Sequence, residues 1–168
     1  MKVFITGVAG FLGSHLAEHC LKINHEVVGC DTLVGGDIDN ISGLDIEFHK
    51  MDCSNLFEMT KVMKGVDVLC HAAAFAHEGL SNISPKLVCE NNVVGSVSTF
   101  TAGVKNNVKR IVYCSSMARY GEIEIPFSEN SIVKPIDPYG ISKVAAEDIL
   151  KVLAKTYNFE YNIAIPHN

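Results

Sequence analysis

Three glycines near the start of the chain leave few options for its fold. Gly7-Val8-Ala9-Gly10-Phe11-Leu12-Gly13 has the spacing G-x-x-G-x-x-G. A β-branched run, Lys2–Thr6, precedes it, and Phe11–Ile23 follows with apolar residues at 11, 12, 16, 20 and 23, the spacing of one helix face. A strand that turns into a helix through glycines has a physical use. The first glycine permits the sharp turn, the second clears side-chain bulk so that a diphosphate can approach the backbone, and the third lets the helix pack on the strand. Free N–H groups at the helix start, here around Phe11 and Leu12, then hold the anion. A tight turn that merely packs well is the weaker reading in this context.

Asp31 ends the next apolar run, Glu26–Cys30, eighteen residues after Gly13. An acidic residue at that distance takes the ribose hydroxyls of a dinucleotide and repels a 2′-phosphate. Thr32-Leu33 brings no arginine, so NAD is expected rather than NADP.

Further strands are expected over Ile46–Met51, Val66–His71, Arg110–Ser115 and Tyr161–Ile165. A helix is expected from Ser54, as N-cap, to Lys64 with Gly65 as its stop; another over residues 85–106, with Pro85 in its first turn; and a third over Tyr139–Tyr157. Residues 34–43 and 118–138 read as loops. Strands and helices alternate, and the strands are almost continuously apolar, which indicates a parallel sheet covered on both faces. Right-handed crossovers make this an α/β, doubly wound, Rossmann-type fold with strand order 3-2-1-4-5-6. At 168 residues, 48% of them hydrophobic, one domain with a real core is expected.

The net charge of −5, with Lys109-Arg110 the only adjacent basic pair, argues against nucleic acid or an anionic membrane as the main partner. No apolar run is long enough to span a bilayer. The opening apolar run stops at Thr6-Gly7, too early for a signal peptide, so a cytoplasmic location is expected. The six cysteines form no C-x-x-C and read as reduced thiols. His15-Leu16-Ala17-Glu18-His19 sets two histidines four apart without an evident third ligand, so no metal site is expected.

Tyr139-Gly140-Ile141-Ser142-Lys143 places a phenol and an amine one helical turn apart on one face. A phenol with a pKa near ~10 is a poor base at neutral pH, and an adjacent cation favours its ionised form. Ser115 and Ser116 follow the fifth strand, at the carboxyl edge where doubly wound sheets bind ligands. His71 ends a buried strand and reads as a hydrogen-bonded structural histidine.

Together, Thr6-Gly7-x-x-Gly10-x-x-Gly13, Asp31, Asp52, His71-Ala72-Ala73-Ala74, Asn91-Asn92-Val93-x-Gly95, Ser115-Ser116-x-x-x-Tyr120-Gly121 and Tyr139-x-x-x-Lys143 resemble the extended short-chain dehydrogenase/reductase family. The resemblance is to its NAD-dependent epimerase/dehydratase branch, in the pattern of the UDP-glucose 4-epimerases, and covers the whole chain. It implies that Gly7, Gly10, Phe11, Leu12 and Gly13 hold the pyrophosphate, that Asp31 meets the ribose, that Asp52 and Cys53 lie beside the adenine, and that Ala72, Ala73 and Ala74 line the cofactor cleft. It further implies that Asn91 orders the loop beneath the cofactor, that Ser115 and His167 also lie against the cofactor, and that Ser116, Tyr139 and Lys143 form the catalytic set. Ser116, Tyr139 and Asn168 would meet a nucleotide-sugar substrate, with a UDP-hexose expected.

The implied chemistry is transient oxidation of a sugar carbinol, as in a sugar-nucleotide 4-epimerase. A dehydrogenase, reductase or dehydratase of the same family and a non-catalytic NAD-binding module are the alternatives. Family dehydratases carry an Asp-Glu pair where this chain has Met117-Ala118, which disfavours dehydration. The basic residue usual before Pro166-His167-Asn168 is Ile165 here. Residues 1–168 are expected to form the NAD-binding domain, with the smaller substrate domain of the family absent, and a homodimer is expected through helices 85–106 and 139–157.

Overall fold

The computed structural model describes residues 1–122 and 125–167. Six strands, β1 (Lys2–Thr6), β2 (Glu26–Asp31), β3 (Glu47–Lys50), β4 (Val68–His71), β5 (Arg110–Cys114) and β6 (Glu160–Ala164), form one sheet. Its order is β3-β2-β1-β4-β5-β6, and every neighbouring pair is parallel. This is the expected doubly wound order. The reversal of winding beside β1 places the carboxyl ends of β1 and β4 at the edge where such sheets take ligands.

Alternate residues of one strand point to opposite faces, and both faces are covered over the central strands, while β6 is largely exposed. On one side Phe4, Val28, Leu69 and Ile111 pack against Met59 of α2 (Leu56–Val62), Phe100 of α5 (Gly95–Lys105) and Leu150 of α6 (Pro138–Tyr157). On the other, Ile5, Val27 and Cys70 pack against Ala17 and Cys20 of α1 (Phe11–Lys22). Two short helices, α3 (Glu78–Ser81) and α4 (Pro85–Val88), follow β4. Among the described residues no helix is long and apolar enough to cross a membrane, and the six cysteines are free.

Three expectations need correction. The N-cap of α2 is Asn55, whose side-chain oxygen accepts from Glu58 N at 3.2 Å, while Ser54 belongs to the preceding turn, its N donating to Asp52 Oδ1 at 2.8 Å. That helix ends at Val62, before Gly65, which has φ +74°. The helical rod over 85–106 is interrupted: Cys89–Val94 is a π-helical stretch between α4 and α5. Ser96 Oγ donates to Asn92 O at 2.5 Å, and hydroxyls that bond four residues back loosen the regular ladder. The loop over 34–43 contains a 3-10 turn, Ile38–Ile41, capped by Asp37.

Candidate active site

The glycine turn is built so that little else could stand in it. Gly7 has φ +68°, and a Cβ there would lie 2.9 Å from Ala73 Cα. A Cβ on Gly13 would collide with the Gly7 carbonyl oxygen. Helix α1 starts from Gly10 with no side-chain cap, and its first hydrogen bond runs from Ser14 N to Gly10 O at 3.0 Å. The N–H groups of Phe11, Leu12 and Gly13 therefore have no helical acceptor. The side chain of Phe11 is 82% exposed and Leu12 is also exposed. Uncapped donors at the positive end of a helix, over a backbone stripped of side chains, fit a diphosphate.

Asp31 lies beside this turn and is buried. Its two carboxylate oxygens accept from Ala9 N at 3.1 Å and Leu33 N at 2.8 Å. The following loop closes over the turn, with Asp37 N and Asn40 Nδ2 donating to Ala9 O at 3.0 and 2.8 Å. Asp52 and Cys53 follow β3, and Cys53 Sγ is 3.9 Å from Cys30 Sγ.

A buried polar chain ties the turn to the opposite side of the cleft. Thr6 Oγ1 accepts from Ala72 N and Ala73 N, both at 3.1 Å, and so must donate to His71 Nδ1 at 2.7 Å. His71 Nε2–H then donates to Ser96 Oγ at 2.8 Å, the neutral tautomer. The organiser of the loop after Ala74 is Asn92, not Asn91. The Asn92 amide accepts from Phe75 N at 2.7 Å and donates to Phe75 O at 3.3 Å and to Ser142 Oγ at 3.1 Å. Asn91 is only half-buried and bonds back to Leu87 O. The π-helical stretch separates the two neighbours in this way, and one-face helical counting could not anticipate it.

Burial, with Lys143 nearby, pulls the His71 imidazole down to about 3. The unfolded chain gains a proton near the ordinary value of ~6.5, which the folded chain does not. Stability is therefore expected to fall as pH drops from ~6.5 towards ~3, by up to ~1.4 kcal/mol per pH unit from this one group. Denaturant unfolding at several pH values across that window checks this, and His71→Gln should flatten the dependence.

Ser116, Tyr139 and Lys143 come together at the carboxyl end of β5. Ser116 starts a 3-10 turn, Met117–Tyr120, and accepts from Ala118 N at 3.2 Å. Tyr139 opens α6, whose N-cap Asp137 accepts from Gly140 N at 2.7 Å. Burial pushes the Tyr139 phenol up, a hydrogen bond with Ser116 pulls the other way, and the carboxylates of Glu78 and Asp137 add to the rise. Lys143 is almost wholly buried and donates to Cys114 O at 2.7 Å, with Nζ 4.9 Å from the Tyr113 ring centre and 6.0 Å from that of Tyr139. Burial lowers this amine to about 8, against the opposing pull of Cys114 and Glu147.

Ser115 is buried, and its N donates to Ala164 O at 2.8 Å; Met117 N donates to Pro166 O at 3.3 Å. These bonds hold the segment after β6 beside the serines. His167 there lines a shallow cavity with Met117, Tyr120, Phe127 and Ile165. Asn168 lies outside the described residues. Residue-by-residue reading missed Glu147 and Arg119, which meet behind Ser115 and Ser116. A signal was present: Tyr139, Lys143 and Glu147 recur every four residues, which puts a carboxylate on the buried face of α6.

The sequence model of the NAD dependent epimerase/dehydratase family matches residues 3–168. The putative UDP-glucose 4-epimerase of Methanocaldococcus jannaschii is 33% identical over 164 residues, covering 96% of this chain and 53% of that protein. The solved UDP-glucose 4-epimerase of Thermus thermophilus, in complex with NAD, has a TM-score of 0.92 at 29% identity, over 97% of this chain and 54% of that one. DesIV, a dTDP-glucose 4,6-dehydratase from Streptomyces venezuelae with NAD and TYD bound, has a TM-score of 0.92 at 28% identity, over 98% of this chain and 55% of that one. The chain spans about half the length of the curated relatives it matches.

Proposed function

Because the chain belongs to the NAD dependent epimerase/dehydratase family, we propose that it carries the cofactor-binding and catalytic residues of a sugar-nucleotide 4-epimerase that works by transient oxidation. The cofactor is NAD. Phe11, Leu12 and Gly13 would hold its pyrophosphate through their backbone N–H groups, Asp31 its ribose, and Asp52, Cys53, Ala72, Ala73 and Ala74 the remaining walls. The Asp31 charge beside the turn supports NAD over NADP, since a 2′-phosphate would meet it.

The observation that carries the reading is the convergence at the carboxyl end of β5, the sheet edge that also holds the glycine turn, of Ser116 just past that strand and of Lys143, bonded to Cys114 O one turn from Tyr139. NAD, when bound, supplies the acceptor and donor of hydride. Tyr139 exchanges a proton with the reacting sugar hydroxyl through its phenol oxygen, and Ser116 steadies that hydroxyl. Lys143 holds the nicotinamide ribose, and its ammonium favours the phenolate. His167, and Asn168 by resemblance, would border the reacting ring and the sugar.

With Met117 and Ala118 where dehydratases place their acids, neither of these two side chains can protonate a leaving hydroxyl, which supports epimerisation over dehydration. UDP-hexoses are the expected substrates, given the names of the relatives. The exposed apolar side chains Leu87 and Val94 on the rod over 85–105, and Ile141 and Val152 on α6, support pairing of two copies through these helices. Interconversion of UDP-galactose and UDP-glucose by the NAD-loaded chain, without net reduction of the cofactor, tests the proposal.

A further inference from the structure

One fully buried carboxylate has no part in the chemistry above. Glu147 lies one turn past Lys143 and two turns past Tyr139 on α6, and is 0% exposed. Its Oε1 accepts from Ser115 Oγ. Its Oε2 lies 3.3 Å from Arg119 Nη1 and 3.7 Å from Lys151 Nζ. Both Oε2 and Arg119 Nε are buried without a hydrogen-bond partner. An ion pair taken out of water and left incompletely bonded is poor stabilisation compared with apolar packing of the same volume. Stability alone is therefore a weak reason for a charge at this place.

The connections point elsewhere. Consecutive turns of α6 grip consecutive residues at the end of β5: Lys143 donates to Cys114 O at 2.7 Å, and Glu147 accepts from Ser115. Arg119 sits in the turn Met117–Tyr120, which begins immediately after Ser116. Ser116 is thus flanked on both sides by residues that Glu147 holds, while the same helix carries Tyr139. We propose that Glu147 is a positioning residue that sets Ser116 against Tyr139, holding Ser115 directly and the 117–120 turn through Arg119. This rests on the catalytic reading of Ser116 and Tyr139 and adds the device that fixes their separation.

Charged and titratable groups surround this arrangement on every side. Tyr139 faces Ser116, Glu78 of α3 and Asp137 at its own N-cap. Lys143 faces Cys114 of β5 and Glu147, and its ammonium lies near His71 of β4 and the Tyr113 ring. Glu147 faces Arg119, Lys151 and Ser115.

The test reads the phenol itself, independently of turnover. With tyrosines carrying carbon-13 at Cζ, the chain shows five resonances, one per tyrosine, and Tyr139→Phe identifies one of them. Ser116→Ala should move that resonance by removing the hydroxyl that acts on the phenol. Glu147→Gln and Arg119→Met should each move it in the same direction, with the Tyr157 and Tyr161 resonances in place. Where turnover is measured, kcat should fall about tenfold or more while NAD affinity stays within about twofold, since a small misplacement at the reacting centre is costly.

If Glu147→Gln does not fold, the Glu147→Gln/Arg119→Met double variant, which leaves no unpaired charge between them, decides on the same readout. A folded variant whose Tyr139 resonance matches the parent overturns the proposal. A normal Tyr139 shift in Glu147→Gln combined with turnover in the parent sinks only the positioning role. A clear shift combined with no turnover in the NAD-loaded parent sinks the epimerase reading and leaves the positioning geometry standing.

Discussion

Tyr139→Phe is expected to lower the rate of UDP-hexose interconversion by about 10²- to 10⁴-fold, the range of a lost general acid–base group, while NAD affinity changes by no more than about twofold. The substitution deletes one oxygen from a buried side chain and keeps the ring, so the opening turn of α6 and the Asp137 cap are undisturbed. What goes is the proposed proton carrier and the hydroxyl on which Ser116 acts. Turnover assays paired with calorimetry of NAD binding check both halves. Equal turnover in the variant would remove Tyr139 from the mechanism, and a lost NAD affinity would show that its hydroxyl is needed to shape the cofactor cleft.

Gly13→Val is expected to abolish measurable NAD binding. A Cβ at this place collides with the Gly7 carbonyl oxygen and comes within 2.8 Å of Val8 Cα, and neither is a flexible side-chain end that could swing aside. The turn must open or α1 must retreat from β1, and overpacking of that kind costs ~1–3 kcal/mol or more. Either movement scatters the N–H groups of Phe11, Leu12 and Gly13 that would converge on a diphosphate. Gly35→Ala is the control, because a Cβ there meets nothing within 4 Å, and its NAD affinity should equal that of the parent. Thermal melting with and without NAD separates loss of the site from loss of the fold: the variant should melt lower and show no upward shift with NAD.

The fold was legible because its signals are local and repeated. Each buried strand is a short apolar run between turn residues, and a sheet covered on both faces needs no alternation to be recognised. The glycine turn was legible for the same reason, since its three glycines answer a steric demand that few other arrangements create. What local reading missed depends on details that spacing does not carry. The N-cap of α2 is Asn55 rather than Ser54, which belongs to a turn that Asp52 closes through the Ser54 N. Asn92 took the loop-ordering role from Asn91 because a π-helical stretch changes which neighbour is buried.

The electrostatics were legible in outline only. The pair Tyr139 and Lys143 announces itself by its spacing, yet the lysine ammonium is bonded to the Cys114 carbonyl, and burial sets the tyrosine higher rather than lower in the chain taken alone. Glu147 and Arg119 are separated by a long loop in sequence and meet only in space. No rule of periodicity brings an arginine from the turn after a strand to a carboxylate in the middle of a helix.

On the proposed function, the chain oxidises a sugar carbinol and then restores it. The most direct measurement mixes UDP-galactose with the NAD-loaded chain and follows the absorbance of the reduced nicotinamide together with the sugar products. UDP-glucose is expected to form while reduced cofactor stays a small, non-accumulating fraction. Reduced cofactor accumulating in step with substrate loss would contradict transient oxidation and mark a dehydrogenase, and unchanged UDP-galactose with NAD demonstrably bound would mark a binding module.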